Sequence, residues 1–177
     1  GCPFAFHNPP QRQNYKIIIQ NSILQFWKQL GEKAQRDFFD KLKNYRRDET
    51  MKIGMLTSGG DCQGLNAALR GVAKALYQEF GTAVTIYGIR DGYRGLIEGD
   101  YHPMEPQDFS DILTRGGTIL GTSRQPFKTM QQAEENEATK LEKMLDTCRR
   151  ARFDCLVILG GNGTHKTANL LSEHGIP

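Results

Sequence analysis

Three glycine-rich runs hold the residues of this sequence best suited to chemistry on phosphate. The first is Gly59-Gly60-Asp61-Cys62-Gln63-Gly64. Glycine lets the backbone come close to a phosphate, and a following helix offers N–H groups at the positive end of its dipole. The run matches neither G-x-G-x-x-G nor the loop that ends in Gly-Lys-Ser/Thr, and alone it also reads as a tight strand-to-helix turn. The second run, Gly160-Gly161-Asn162-Gly163-Thr164, adds side-chain oxygens at Asn162 and Thr164. A carboxylate at position 162 would be the natural Mg²⁺ ligand; the amide oxygen of Asn162 is weaker and uncharged. The plainer reading is a helix cap with Thr164 or Asn162 as its N-cap. Between them lies Arg115-Gly116-Gly117-Thr118-Ile119-Leu120-Gly121-Thr122-Ser123-Arg124. A guanidinium bridges two phosphate oxygens and stabilises developing charge, although most lone arginines simply face solvent.

The elements that must carry these loops alternate between strand and helix from Met51 onward. Lys52–Leu56 reads as an apolar strand, and Asn66–Phe80 as a helix with Leu65, Leu69, Val72, Ala73, Leu76 and Phe80 on one face. Gly81 is placed to stop it. Ala83–Ile89 is a β-branched strand, Pro106–Leu113 a short helix, and Ala133–Arg152 a long charged helix. Asp154–Leu159 is almost wholly apolar, as a strand buried on both faces must be, and Thr164–Glu173 is the last helix. Repeated strand–loop–helix units predict a doubly wound, mostly parallel α/β sheet. Ligands of such sheets sit beyond the carboxyl ends of the strands, where both glycine loops fall.

Composition divides the chain at Met51. Residues 1–50 hold nine Lys/Arg against five acids, net +4, while the remainder is net −1; the total of +3 therefore describes neither part. Only Gly1 and Gly31 precede Met51, out of 19 glycines. In the front segment Ile19, Ile23, Phe26, Trp27 and Leu30 keep helical spacing. Three readings stay open for it: an amphipathic docking helix, a polar segment with accidental periodicity (the favoured one), or sequence translated from upstream of a start at Met51. The two parts are thus taken as 1–50, an N-terminal segment that is either translated upstream sequence or an extension foreign to the rest, and 51–177, the alternating α/β domain. No apolar run approaches the ~18–20 residues of a membrane helix. The four cysteines have no metal spacing and read as free thiols of a reducing compartment. A folded part without a basic stripe disfavours nucleic acid as a partner.

The segment Ile53-Gly-Met-Leu-Thr-Ser-Gly-Gly-Asp-Cys-Gln-Gly-Leu-Asn-Ala-Ala-Leu-Arg70-Gly resembles the opening of the 6-phosphofructokinases. Tyr87-Gly-Ile-Arg-Asp-Gly-Tyr93-Arg-Gly-Leu, Arg115 to Arg124, and Leu159-Gly-Gly-Asn-Gly-Thr164 follow in that family's order. The resemblance runs from Met51 to Pro177 and implies that 51–177 is a partial nucleotide-binding domain of that family, its sheet incomplete. It implies an allosteric, cytoplasmic enzyme of glycolysis, a homotetramer. Such an enzyme moves the γ-phosphoryl of ATP, with Mg²⁺, to the 1-hydroxyl of fructose 6-phosphate. On that resemblance Gly60, Tyr93, Arg124, Gln125, Gly161, Asn162, Gly163 and Thr164 would line the nucleotide site. Arg124 would also steady the transferring group, and Asn162 stands where the family has its Mg²⁺-binding Asp. Arg70 and Lys74 match the basic pair of the effector site, with Lys where Arg is usual, which loses bidentate geometry.

Two features qualify what the resemblance implies. Pyrophosphate-using relatives typically carry Asp at position 163, so Gly163 favours ATP. The Thr-Ile-Asp-Asn-Asp segment with the catalytic base, and the sugar-phosphate half, are not in these 177 residues. The chain alone is therefore expected to lack kinase activity. The alternatives are a pyrophosphate-dependent phosphofructokinase, a more distant lipid or NAD kinase, and an inactive nucleotide-binding or regulatory module.

Overall fold

A computed structural model describes residues 17–20, 50–60, 62, 64–132 and 138–176. In chain order these form β1 (Ile17–Gln20), β2 (Met51–Ser58), α1 (Leu65–Phe80), β3 (Val84–Ile89) and α2 (Tyr93–Glu98). β4 (Tyr101–Met104), α3 (Lys140–Ala151), β5 (Cys155–Gly160) and α4 (Asn162–Glu173) follow. The strands make one sheet in the order β1-β5-β2-β3-β4. β1, β5, β2 and β3 run parallel, and β4 alone is antiparallel to its neighbour β3.

The alternation of side chains along each strand builds two cores. Ile53, Met55, Ile86, Val157 and Leu159 face α1 with Leu65, Leu69, Ala73 and Leu76. Leu56, Ile89, Leu156 and Ile158 face the other side, toward Leu96, Met144, Leu145, Ala168 and Leu171 of α2, α3 and α4. Helices on both faces explain why β5 is buried along its whole length. Burial also pushes the thiols of Cys148 and Cys155 up to about 12, so both stay protonated core groups. No helix among the described residues is long and apolar enough to cross a membrane.

Several boundaries differ from the sequence reading. Ile17–Gln20, whose Ile19 opened the helical spacing of the front segment, is a strand paired with β5; the rest of that pattern lies outside the described residues. Pro106–Leu113 is only a 3-10 turn over Pro106–Phe109, because Ser110 is extended and Asp111 takes a left-handed φ of 53°. α2 and β4, which the sequence reading left out, fill the stretch before it. Helix α3 begins at Lys140 rather than Ala133, and residues 133–137 lie outside the description.

A capping box sets the start of α3. The Thr139 hydroxyl accepts from the Glu142 backbone N–H (3.1 Å), and Glu142 Oε2 accepts from the Thr139 N–H (2.8 Å). Thr139→Ala is expected to cost about 1 kcal/mol, read as a lower urea midpoint at unchanged slope. The Glu142 carboxyl is held below its usual range, first by the Thr139 N–H and then by its hydroxyl. A depressed folded pKa gives stability that is present at neutral pH and lost as pH falls through that lowered value. The Thr139→Ala deficit should therefore shrink in acid.

Candidate functional site

The carboxyl ends of β2 and β5 lie side by side, with Ser58 opposite Gly160. Each strand end leads through glycine into a helix: β2 through Gly59 and Gly60 toward α1, and β5 through Gly161 into α4. The two turns are in contact, since a Cβ at Gly59 would lie 3.4 Å from Thr164 Oγ1 and 3.9 Å from the Gly161 nitrogen. Thr164 Oγ1 donates to the Ser58 carbonyl (3.0 Å), and the buried Tyr93 hydroxyl donates to the Thr164 carbonyl (2.7 Å). Burial pushes the Tyr93 hydroxyl far above its ordinary range, so it remains a donor at any ordinary pH.

The third run is bonded onto the same edge. The Gly59 N–H donates to the Ser123 carbonyl (3.2 Å), and Thr122 Oγ1 donates to the Gly59 carbonyl (2.9 Å). Thr57 Oγ1 donates to the Gly121 carbonyl (2.7 Å), and Ser58 Oγ to the Ser123 carbonyl (3.2 Å). On the other side, the Ser123 hydroxyl donates to the Asp91 carbonyl, and the Asp91 N–H to the Leu120 carbonyl (2.8 Å). Gly121 has a φ of 71° and lies against the Asp91 carboxylate, which a Cβ there would strike at 2.2 Å. Asp91 is itself left-handed and pairs with Arg94.

The loops thus form one hydrogen-bonded cluster, and its glycines divide into two kinds. At Gly160 a Cβ would meet the Ser58 carbonyl oxygen at 2.3 Å, so this glycine serves packing. Among the described residues, a Cβ at Gly60, Gly161 or Gly163 would meet nothing within 4 Å. These three present bare backbone to open space. The first-turn N–H groups of α4, on Asn162, Gly163 and Thr164, have no intrahelical acceptor. No acidic residue stands in that turn to oppose an anion.

The expected site residues are distributed over this cluster as follows. Gly60, Gly161, Asn162 and Gly163 are exposed on the two turns, and Arg124 is exposed directly after Ser123. Gln125 is half-buried, its Oε1 accepting from Lys140 Nζ (3.2 Å). Tyr93 and the Thr164 side chain are buried and bonded to protein, so they shape the second turn from beneath. The expected N-cap role of Asn162 or Thr164 is not met. The cap is Gly161, without a side-chain bond, because the helix starts early and Thr164 Oγ1 is already used on Ser58. Arg70 and Lys74 lie one turn apart on the body of α1, not on the loops. His165, the residue after Thr164 in α4, is buried, 8% exposed.

Some residues that hold the loops together are not among those the sequence singles out. Asn66 is the clearest of them, 1% exposed on the apolar face of α1 and bonded to three backbone groups of residues 112–119. A polar side chain inside an apolar stripe was the readable signal, since burying one costs energy unless it is paired.

Among the described residues no three His, Cys, Asp or Glu come together to hold a metal. Asn162 offers a single neutral oxygen, by itself a weak ligand for Mg²⁺.

The family model described as Phosphofructokinase matches residues 52–177. An ATP-dependent 6-phosphofructokinase of Spirochaeta thermophila is 55% identical over 134 residues, covering 74% of this chain and 36% of that protein. The enzyme of the same name from Edwardsiella ictaluri is 41% identical over 126 residues, covering 71% and 36%. The chain thus spans just over a third of the length of these curated relatives. Among solved structures, Pichia pastoris phosphofructokinase in the T-state aligns with a TM-score of 0.61 at 31% identity, over 73% of this chain and 13% of that one. A pyrophosphate-dependent phosphofructokinase from Marinobacter aquaeolei aligns with a TM-score of 0.53 at 18% identity, over 72% and 31%, which is a likeness of fold.

Proposed function

Since this chain belongs to the phosphofructokinase family, we propose that the whole protein transfers the γ-phosphoryl of ATP to the 1-hydroxyl of fructose 6-phosphate. The products are ADP and fructose 1,6-bisphosphate. The observation that carries this reading is the pair of touching turns whose Gly60, Gly161 and Gly163 face open space beside an exposed Arg124. Backbone N–H groups there bind phosphate oxygens at the positive end of α4. Arg124 spans two oxygens and stabilises charge as the bond to the leaving phosphate breaks. Tyr93 and Thr164 keep the second turn in place from below. Mg²⁺ would arrive on the nucleotide and neutralise phosphate charge; the protein's own part at that position is the Asn162 amide.

Phosphoryl transfer needs positioning and electrostatics more than covalent chemistry, and preorganised loops supply both. Gly163 supports ATP as the donor, because an open glycine there leaves room and no negative charge against a nucleotide phosphate. The effector role of Arg70 and Lys74, a homotetrameric assembly and a cytoplasmic setting belong to this same reading. The donor is tested by steady-state kinetics of the whole protein with fructose 6-phosphate and either ATP or pyrophosphate. A kcat/KM at least about 100-fold higher with ATP is expected, the size of preference that a few kcal/mol of differential contact gives. Equal use of both donors, or a preference for pyrophosphate, would count against it.

A further inference from the structure

Asn66 sits in the first turn of α1, where Leu65 and Leu69 enter the core, and it is 1% exposed. Its Nδ2 donates to the Ile112 carbonyl (3.1 Å) and to the Arg115 carbonyl (3.3 Å), and its Oδ1 accepts from the Ile119 N–H (2.9 Å). Two carbonyls and one N–H fix which end of the amide is which. All three partners belong to one loop. That loop is tied again at its far end, where Thr57, Ser58 and Gly59 hold Gly121 and Ser123. Arg124 follows at once. These three bonds of the amide all go to the loop, so the side chain serves the loop as well as the burial of α1.

We propose that Asn66 is a positioning residue for phosphoryl transfer. It fixes the entry of residues 112–119 onto α1 and thereby sets where the Arg124 guanidinium stands relative to the Gly59–Gly60 turn. This rests on the phosphotransferase reading above. Its consequence is energetic coupling between two side chains that share no bond: removing Asn66 should matter only while Arg124 is present to be misplaced.

The test is a double-mutant cycle in the whole protein, with turnover of ATP and fructose 6-phosphate measured on folded, soluble variants. Asn66→Ala is expected to lower kcat about 30-fold, within the range that misplacement of about an ångström produces. In an Arg124→Ala background the same change should cost less than about threefold. Hydrogen exchange at the Ile119 amide should quicken in Asn66→Ala while the body of α1 keeps its protection. An equal fold-loss in both backgrounds, or unchanged exchange at Ile119, would overturn the proposal. Should Asn66→Ala not fold, Asn66→Ser, which leaves a hydroxyl and room for water, carries the same cycle. Failure of both to fold would assign Asn66 to stability alone and also overturn the proposal. Wild-type protein without turnover sinks the phosphotransferase reading, and this proposal with it. An active wild type with an additive cycle sinks the Asn66 role alone.

Discussion

Arg124→Ala is expected to lower kcat of the whole protein by about 10³-fold, the range of an arginine that stabilises transferring phosphoryl charge. The expectation follows from where the side chain is attached. The residue before it, Ser123, is held by the Gly59 N–H, by the Ser58 hydroxyl and by its own hydroxyl on Asp91. The backbone is therefore fixed while the Arg124 side chain is exposed beside the two glycine turns. Such a group costs little to reorganise when charge builds up at the transferring phosphate. Arg124→Lys should recover only part of the loss, because an ammonium keeps the charge but not the two-pronged geometry. Single-turnover kinetics separate this from product release. A kcat within about threefold of wild type would remove Arg124 from the chemistry.

Gly160→Ala should have the largest effect on stability, about 3 kcal/mol, at the upper end of what overpacking costs. The new Cβ would stand 2.3 Å from the Ser58 carbonyl oxygen, with Thr164 Oγ1 at 2.5 Å and Cγ2 at 2.7 Å. The nearest atom is backbone of the neighbouring strand, in register with Gly160 itself, so no flexible side-chain end gives way. The Thr164–Ser58 bond and the two adjoining turns would be pushed apart together, and nucleotide binding should fall with stability. Gly161→Ala is the control one residue on. Its Cβ meets nothing within 4 Å among the described residues, so stability should change by no more than about 1 kcal/mol, the cost of Ala at the N-cap of α4, while nucleotide affinity still drops. Urea unfolding and equilibrium nucleotide binding of both variants check the pair. Equal destabilisation by the two would contradict the division of glycines into packing and ligand-facing kinds.

The parts of this fold that were legible in the sequence are those whose signal is local. β2, β3 and β5 declare themselves by short β-branched or apolar runs, and α1 by the spacing of Leu65, Leu69, Ala73 and Leu76. α2 spans only Tyr93–Glu98 and β4 is Tyr-His-Pro-Met, too short for either periodicity to appear. The start of α3 was readable but overlooked. Thr139-Lys140-Leu141-Glu142 is a capping signature, with Thr at the cap and Glu three residues on, and good helix formers upstream place the boundary too early. At the site, the glycine turns and Arg124 stand out by composition, whereas what holds them does not. Asn66 meets partners 46 to 53 residues away, and Thr164 meets Ser58 at a separation of 106. Such pairs exist only once the sheet order is known. For the same reason the sequence placed Tyr93 and Thr164 around the nucleotide but not beneath the turn that would hold it.

The function proposed for this loop cluster is transfer of phosphoryl from ATP to a sugar phosphate. It is tested most directly by incubating the whole protein with ATP labelled at the γ-phosphorus, Mg²⁺ and fructose 6-phosphate, and following the label. Label is expected in fructose 1,6-bisphosphate, at the 1-position, with ADP formed in equal amount. Label released only as inorganic phosphate, or left in ATP while fructose 6-phosphate is untouched, would contradict it.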